Sequence, residues 1–302
     1  MGLRERMWAG ALRQPTEGEP STVRTADGLS ELPVLAQKPQ ATGLKRTIEA
    51  EIIPRLVLAH PAATRDPSIP AATTAAARSE RIARFADLIL TTDPDAAYAH
   101  IEALRARGVR LEAIYLDLII PTASYLRCLW NDDVCDFAEV TLGLWRLQQV
   151  VRAFGAAFRS EGGCCETGQR ALLLPGLNAK HELPYVMFGL VMIGEFFRRG
   201  GWDTWIEPDP SSQDFAAVVR SQWFDVVEFL VSGDKRLDKL ASSIREVRRQ
   251  SPNRAIGVIV SGRVFVENPE LVLLVGADMT AIDARQGTLQ AQNLVRLLSD
   301  RT

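Results

Sequence analysis

The stretch FDVVEFLVSGDKRLDKLASSIREVRRQSPNRAIGVIVS (224–261) decides the fold of this chain. Its two ends, FDVVEFLVS and AIGVIVS, are short apolar runs with many β-branched residues, which is typical of strands buried on both faces. The segment between them, DKLASSIREVRRQ, has the spacing of an amphipathic helix. The order strand, helix, strand predicts two parallel strands joined by a crossover helix.

The same alternation continues on both sides of this stretch. Further strands are predicted for ALLLP (171–175), DTWIEP (203–208) and MTAID (279–283), with amphipathic helices between and after them. We therefore expect an α/β domain over 168–302, with a flavodoxin-like, doubly wound parallel sheet of five strands in the order 2-1-3-4-5. Such sheets bind ligands beyond the carboxyl ends of their strands. The loops predicted to surround a pocket are 176–188, 231–236 and 261–266.

The part of the chain before this domain has two different patterns. Residues 79–160 have strong helical periodicity and predict a small helical bundle, in which Pro121 should kink or interrupt a helix. Trp145 is interpreted as part of the packing of this bundle. Residues 1–78 are rich in Pro, Thr, Ala and Gly and are interpreted as a flexible arm. The run TGLKRTIEAEIIPRLVLAH (42–60) in this arm is compatible with one short helix.

Composition restricts the function and the location of the protein. The 302 residues have a formal net charge of −2, so there is no basic field to attract DNA, and direct binding of nucleic acid is not expected. No apolar run is long enough to span a bilayer, and no secretory signal is recognised. The cysteines have no CxxC spacing, and we expect a reducing, cytoplasmic location. They are Cys128, Cys135, Cys164 and Cys165.

The sequence contains none of the common catalytic signatures. The strings GxSxG, HExxH and GxGxxG and the phosphate-binding P-loop are all missing from it. We therefore expect a protein that is not an enzyme.

Several strings resemble the cobalamin-binding-domain superfamily. In the bundle, the resemblance is carried by LEAIYLDLIIPTASYLRCLWNDDVCDFAEVTLGLWRLQQVVRAF (111–154). In the second domain, GLVMIGEFFRRGGWDT (189–204) and NRAIGVIVSGRVF (253–265) look like the corresponding elements. Within the superfamily, the sequence is similar to the AerR/PpaA group of antirepressors, and to the related domain that binds haem in place of cobalamin.

The resemblance implies a cobalt-ligating motif, DxHxxG, in the loop after the first strand. With Gly189 as the glycine of this motif, Pro184 and Val186 occupy the Asp and His positions, and neither can ligate cobalt. In an alternative alignment His181 is the metal ligand, with Ala179 at the Asp position. A histidine without its orienting carboxylate would be a weak ligand.

Two further features of the family concern the nucleotide tail of cobalamin. A small Ser near the end of the third strand normally leaves room for this tail, whereas here Glu228, Phe229 and Leu230 are large and only Ser232 and Gly233 are compact. A Gly-Gly pair after the fourth strand normally lets the tail approach the backbone. Here that pair is Ser261-Gly262. We therefore predict a tail groove that is filled by side chains.

In the family, the bundle covers the upper face of the corrin. Trp130 is a candidate lid over a planar ligand, with packing in the bundle as the alternative. Cobalamin, haem and no cofactor at all remain open. The resemblance implies a non-catalytic regulator whose partner is a transcriptional repressor of the CrtJ/PpsR type. The alternative is a corrinoid-carrying subunit of a methyltransferase system.

Overall fold

The computed structural model describes residues 75–91, 94–163, 166–176, 182–207, 214–232 and 236–299. The predicted arm, 1–78, lies outside these residues except for its last four positions, which begin the first helix. No helix in the described segments has both the length and the apolar character needed to cross a membrane.

The first part of the described chain is a bundle of four helices. Helix α3 consists of an α-helical turn, Leu111–Ile114, a π-helical turn, Tyr115–Ile119, and a longer segment, Ile120–Asn131. The other three helices are α1 (Ala75–Thr91), α2 (Pro94–Ala106) and α4 (Phe137–Gly162). Helix α4 begins with a capping box, in which Asp136 and Glu139 each accept a hydrogen bond from the other's backbone N–H.

Pro121 is accommodated without a break in α3. A proline cannot donate a backbone hydrogen bond, and its ring crowds the carbonyl four residues earlier. The π-helical turn Tyr115–Ile119 widens the helix just before the proline, and the chain stays helical on both sides. The predicted interruption is therefore a local change of helical type.

Trp145 does not pack in the bundle, so the prediction for this residue is wrong. Its side chain is 51% exposed, because it lies on the side of α4 away from the buried residues Leu144 and Leu147. The 3.6-residue period identified the helix, but it did not separate the two sides at this position.

The second part is a doubly wound α/β domain, as predicted. All strand pairs of its five-stranded sheet are parallel, and the order is β2-β1-β3-β4-β5. The strands are β1 (Arg170–Pro175), β2 (Asp203–Ile206), β3 (Val226–Leu230), β4 (Gly257–Ser261) and β5 (Met279–Ala281). The helices are α5 (Leu183–Arg199), α6 (Asp214–Ser221), α7 (Leu237–Gln250), α8 (Arg263–Glu267), α9 (Glu270–Val275) and α10 (Ala284–Ser299).

The two faces of the sheet have different neighbours. One face packs on α6, α7 and α9, where Leu172, Phe229 and Ile244 belong to the same apolar core. The other face packs on α5 and α10, and its core continues without interruption into the helical bundle. Phe158 of α4 shows this continuity, because it contacts Tyr115 of the bundle at 4.5 Å and Phe196 of α5 at 5.0 Å between ring centroids.

Ion pairs also join the bundle to the α/β domain. Glu112 of α3 accepts a hydrogen bond from Arg199 of α5 at 2.8 Å and makes an ion pair with Arg285 of α10 at 3.2 Å. Glu195 of α5 is buried and pairs with Arg159 of α4 at 3.1 Å. Breaking such a pair by removing one partner leaves a poorly solvated charge, so these contacts fix the bundle against the sheet.

Glu228 is a buried carboxyl group on the face of β3 that packs on α5 and α10. Its side chain is 1% exposed, and burial raises its pKa from about 4.5 to about 7, while the nearby Ser261 hydroxyl acts in the opposite direction. Because the folded-state pKa is above the unfolded-state value, folding favours the protonated form. The carboxyl group is therefore best tolerated at low pH, and its cost to stability increases as the pH rises towards 7.

We expect Glu228→Gln to remove a pH-dependent loss of stability. Between about pH 4.5 and pH 8, the free energy of unfolding of the wild-type protein should fall by about 3 kcal/mol relative to this variant. Urea unfolding of both proteins at several pH values measures the difference. Parallel pH profiles for the two proteins would show that the carboxyl group is not buried in solution.

Candidate functional site

The carboxyl ends of β1, β3 and β4 meet at one edge of the sheet. The Gly176 N–H donates to the Leu230 carbonyl at 2.7 Å, and the Val231 N–H donates to the Ser261 carbonyl at 2.8 Å. These bonds continue the ladder past the last residues of the strands. The sequence prediction placed the ligand loops at this edge, and the described parts of these loops lie there.

Gly189 and Leu230 are in direct contact. Gly189 lies on α5, and a Cβ atom built on it would be 2.5 Å from Leu230 Cδ2. A side chain at position 189 would therefore collide with Leu230, so the glycine here makes room for a leucine of the same chain. Leu230 fills the space between the end of β3 and α5.

Glu228 fills the corresponding space between the sheet and α10. A Cβ atom built on Gly287 of α10 would be 3.4 Å from Glu228 Oε2, which is ordinary van der Waals contact. Small residues surround this position on α10, since Ala284 and Ala291 are also buried there. We call the space between β3 and α10 that the Glu228 side chain occupies the groove.

The polar atoms in this groove are poorly satisfied. Glu228 Oε2 and the Ser261 hydroxyl are both buried, and neither has a hydrogen-bond partner of normal geometry. Buried polar groups in proteins are nearly always paired, because an unpaired one costs free energy. The raised pKa of Glu228 is consistent with this arrangement, since a neutral carboxyl group is easier to bury.

Ser232, predicted as a compact residue beside a ligand, contacts another part of the chain. Its hydroxyl donates a hydrogen bond to Glu182, which immediately precedes α5. This bond links the segment after β3 to the beginning of α5. The neighbouring candidates Gly233 and His181 lie outside the described residues, so the weak metal-ligand candidate stays a prediction.

Gly262 follows β4 and adopts a φ of 131°, which non-glycine residues rarely adopt. A Cβ atom at this position would overlap the carbonyl oxygen of Val231. The backbone of Val231 therefore approaches Gly262 closely. The resemblance had implied such a close approach for the nucleotide tail of cobalamin. The requirement for glycine is explained by the contact between the segments after β3 and β4.

Trp130 lies between the bundle and α5. Its ring stacks on Tyr185 of α5 at 6.4 Å between centroids, and it also contacts Phe137 at 6.0 Å. The Arg127 guanidinium lies 4.4 Å from the centroid of the Tyr185 ring. Burial raises the pKa of Tyr185 to about 12. A planar ligand under Trp130 would have to separate it from Tyr185.

The structure brings Gly189, Ser232, Ser261 and Gly262 to one edge of the sheet, and it places Trp130 against the first turn of α5. The sequence did not indicate that Glu182, Tyr185 and Gly287 contribute contacts to this site. One signal for the filled groove was available, since Glu228 alternates with Val226 and Leu230 on a strand whose other residues are apolar. Nothing in the local sequence indicated that Gly287 would face it.

No protein-family model matches the chain. An uncharacterized 20.5 kDa protein of the bchF-crtJ intergenic region in Rhodobacter capsulatus is 23% identical over 182 residues, which cover 60% of this chain and 92% of that protein. Its name describes where its gene lies and does not describe an activity.

Among solved structures, the monomethylamine corrinoid protein of Methanosarcina barkeri superposes with a TM-score of 0.56 at 10% identity, covering 72% of this chain and 99% of that one. A cobalamin-binding protein from Desulfitobacterium hafniense superposes more weakly, with a TM-score of 0.36 at 13% identity, covering 70% of this chain and 98% of that one. The first comparison confirms the predicted fold.

Proposed function

We propose that this protein is a non-catalytic regulator that acts by binding a transcriptional repressor of the CrtJ/PpsR type. Two observations support the proposal. The sequence is similar to the AerR/PpaA group, and a relative is described as a protein of the bchF-crtJ intergenic region. A regulator needs a binding surface and a way to change it, and in this proposal a signal acts by changing how the bundle packs on the α/β domain.

The observation that carries the non-catalytic part of the proposal is the filled groove. A corrinoid that carries a nucleotide tail needs an open channel for this tail beside the sheet. Leu230 occupies the space next to α5, and Glu228 occupies the space next to α10. The described residues therefore do not fit cobalamin with its tail inserted. A haem or another tetrapyrrole without a tail does not need this groove, and neither does a protein without a cofactor.

The alternative, a corrinoid-carrying subunit of a methyltransferase system, has the fold in its favour. It requires a corrinoid held firmly enough to undergo repeated reaction cycles. The filled groove argues against it, as does Ala179 at the Asp position of the motif when His181 is aligned as the ligand. A binding experiment with hydroxocobalamin distinguishes the two proposals.

We expect the wild-type protein not to bind hydroxocobalamin with its tail inserted, and we expect a variant with an emptied groove to do so. The variant is Glu228→Ser combined with Leu230→Ala, and binding is followed by equilibrium dialysis and by the visible spectrum of the corrinoid. The matched control is Phe229→Ala, which removes a similarly buried side chain from the opposite face of β3. Circular dichroism verifies that each variant is folded.

Glu228→Gln separates the effect of volume from that of charge in the same experiment. If volume excludes the tail, this variant should bind no better than the wild type. Tight binding of hydroxocobalamin by the wild-type protein, with the lower base displaced from cobalt, would contradict the filled groove and favour the corrinoid-subunit alternative.

The regulatory proposal is tested with purified components. We expect the full chain to bind a purified CrtJ/PpsR-type repressor in a pull-down, and to reduce the fraction of operator DNA that this repressor shifts in a gel. The chain alone should leave the same DNA unshifted, because its net charge is −2. Lack of association with such repressors at micromolar concentrations would exclude this output.

A further inference from the structure

Helix α4 has a buried side and an unusual exposed side. Its buried residues face the bundle and α5, and they include Val140, Leu144, Leu147, Val151, Phe154 and Phe158. The opposite side is formed by Ala138, Leu142, Trp145, Gln149, Arg152 and Ala156, which we call the outer stripe. Successive members are three or four residues apart, so they line up along one face of the helix.

The outer stripe is apolar over most of its length. It extends over 19 residues, from Ala138 to Ala156, which is about 27 Å of helix. Trp145 and Leu142 are 51% and 45% exposed, and Arg152 is the one charged residue of the stripe. Arg146, which is next to Trp145, is turned away, since it donates to the carbonyls of Ile89 and Leu90 in α1. A surface helix normally has a polar outer side, so this face resembles an interface.

Charges at the two ends of the stripe indicate what covers it. Near the amino end of α4, Glu139 is exposed beside the stripe, whereas the carboxyl half of the stripe carries Arg152. If two copies of α4 pack antiparallel, Glu139 of each helix lies within one helical turn of the position that Arg152 of the other helix faces. A parallel pair would bring the two acidic ends together, which is unfavourable.

The side chains of the stripe are also self-complementary in size. In an antiparallel pair that places Ala138 opposite Ala156, Trp145 faces Gln149 and Leu142 faces the aliphatic part of Arg152. The small alanines at the ends let the helices approach, and the large side chains meet near the middle. Each contact then occurs twice, as a two-fold axis requires.

We propose that the outer stripe of α4 is a homodimer interface, in which the stripes of two copies pack antiparallel around Trp145. One helix face buries less area than the roughly 1,600 Å² of a standard protein interface, so the dimer should be weak, with a Kd in the micromolar range. This proposal is independent of the repressor as partner. It assigns a role to Trp145, which the bundle and the groove do not use.

Sedimentation velocity of the full chain over a range of micromolar concentrations tests the proposal. The wild-type protein should change from monomer to dimer as its concentration rises. Trp145→Glu should be monomeric throughout, with its Kd raised at least about tenfold, as expected for a central aromatic residue. The control is Leu273→Glu on α9, which removes an even more exposed apolar side chain from the other side of the molecule and should leave the dimer unchanged.

Arg152 provides a second test that depends on charge. Arg152→Glu should weaken the dimer and Arg152→Lys should preserve it, because only the first change puts like charges together in the antiparallel pair. A wild-type protein that stays monomeric at high concentration overturns the proposal. This holds even if residues 1–74 or a repressor are found to cover the stripe instead. A dimer that survives Trp145→Glu, or that is lost in Leu273→Glu, uses a different surface and overturns it equally.

Discussion

The packing of α4 on α5 is the contact on which the rest of this structure depends. Helix α5 belongs to the α/β domain, yet one of its sides contributes to the same apolar core as the bundle. Phe158, Phe196 and the buried Glu195 lie in this contact. Because this core is continuous, the bundle and the face of the sheet that packs on α5 and α10 share one hydrophobic interior. A change in the orientation of the bundle would therefore expose apolar surface on both.

The same constraint explains why the described residues at the carboxyl edge of the sheet pack closely on one another. Helix α5 is held by α4 on one side and by Leu230 on the other, where Gly189 allows the closest approach. Ser232 and Glu182 then join the segment after β3 to the beginning of α5. In other doubly wound folds a ligand can bind at this edge of the sheet. Here, side chains of the chain itself occupy the described part of that space. The buried oxygens of Glu228 and Ser261 have no hydrogen-bond partner of normal geometry, and this is a cost of the arrangement.

The sequence was sufficient to predict the sheet and its strand order, because buried parallel strands and amphipathic helices have strong periodic signals. The prediction that large side chains fill the groove at the end of β3 named Glu228, Phe229 and Leu230, and it was wrong for Phe229, which points to the opposite face of the sheet because side chains alternate along a strand. It failed at Trp145, where an apolar residue on a helix was assigned to the core although it faces outward. Contacts such as that of Gly287 with Glu228 join residues far apart in the chain, and local patterns do not contain this information.

The two ends of the contact between the bundle and the α/β domain are held by different forces. At one end Arg199 and Arg285 surround Glu112, and at the other Trp130 stacks on Tyr185. Apolar contacts weaken on cooling, whereas charge pairs weaken mainly with added salt. Low temperature should therefore loosen the aromatic end first, and added salt should weaken mainly the ion pair of the half-exposed Arg285, since Arg199 and Glu112 are largely buried. The contact between the bundle and the α/β domain is therefore sensitive to temperature at one end and to ionic strength at the other.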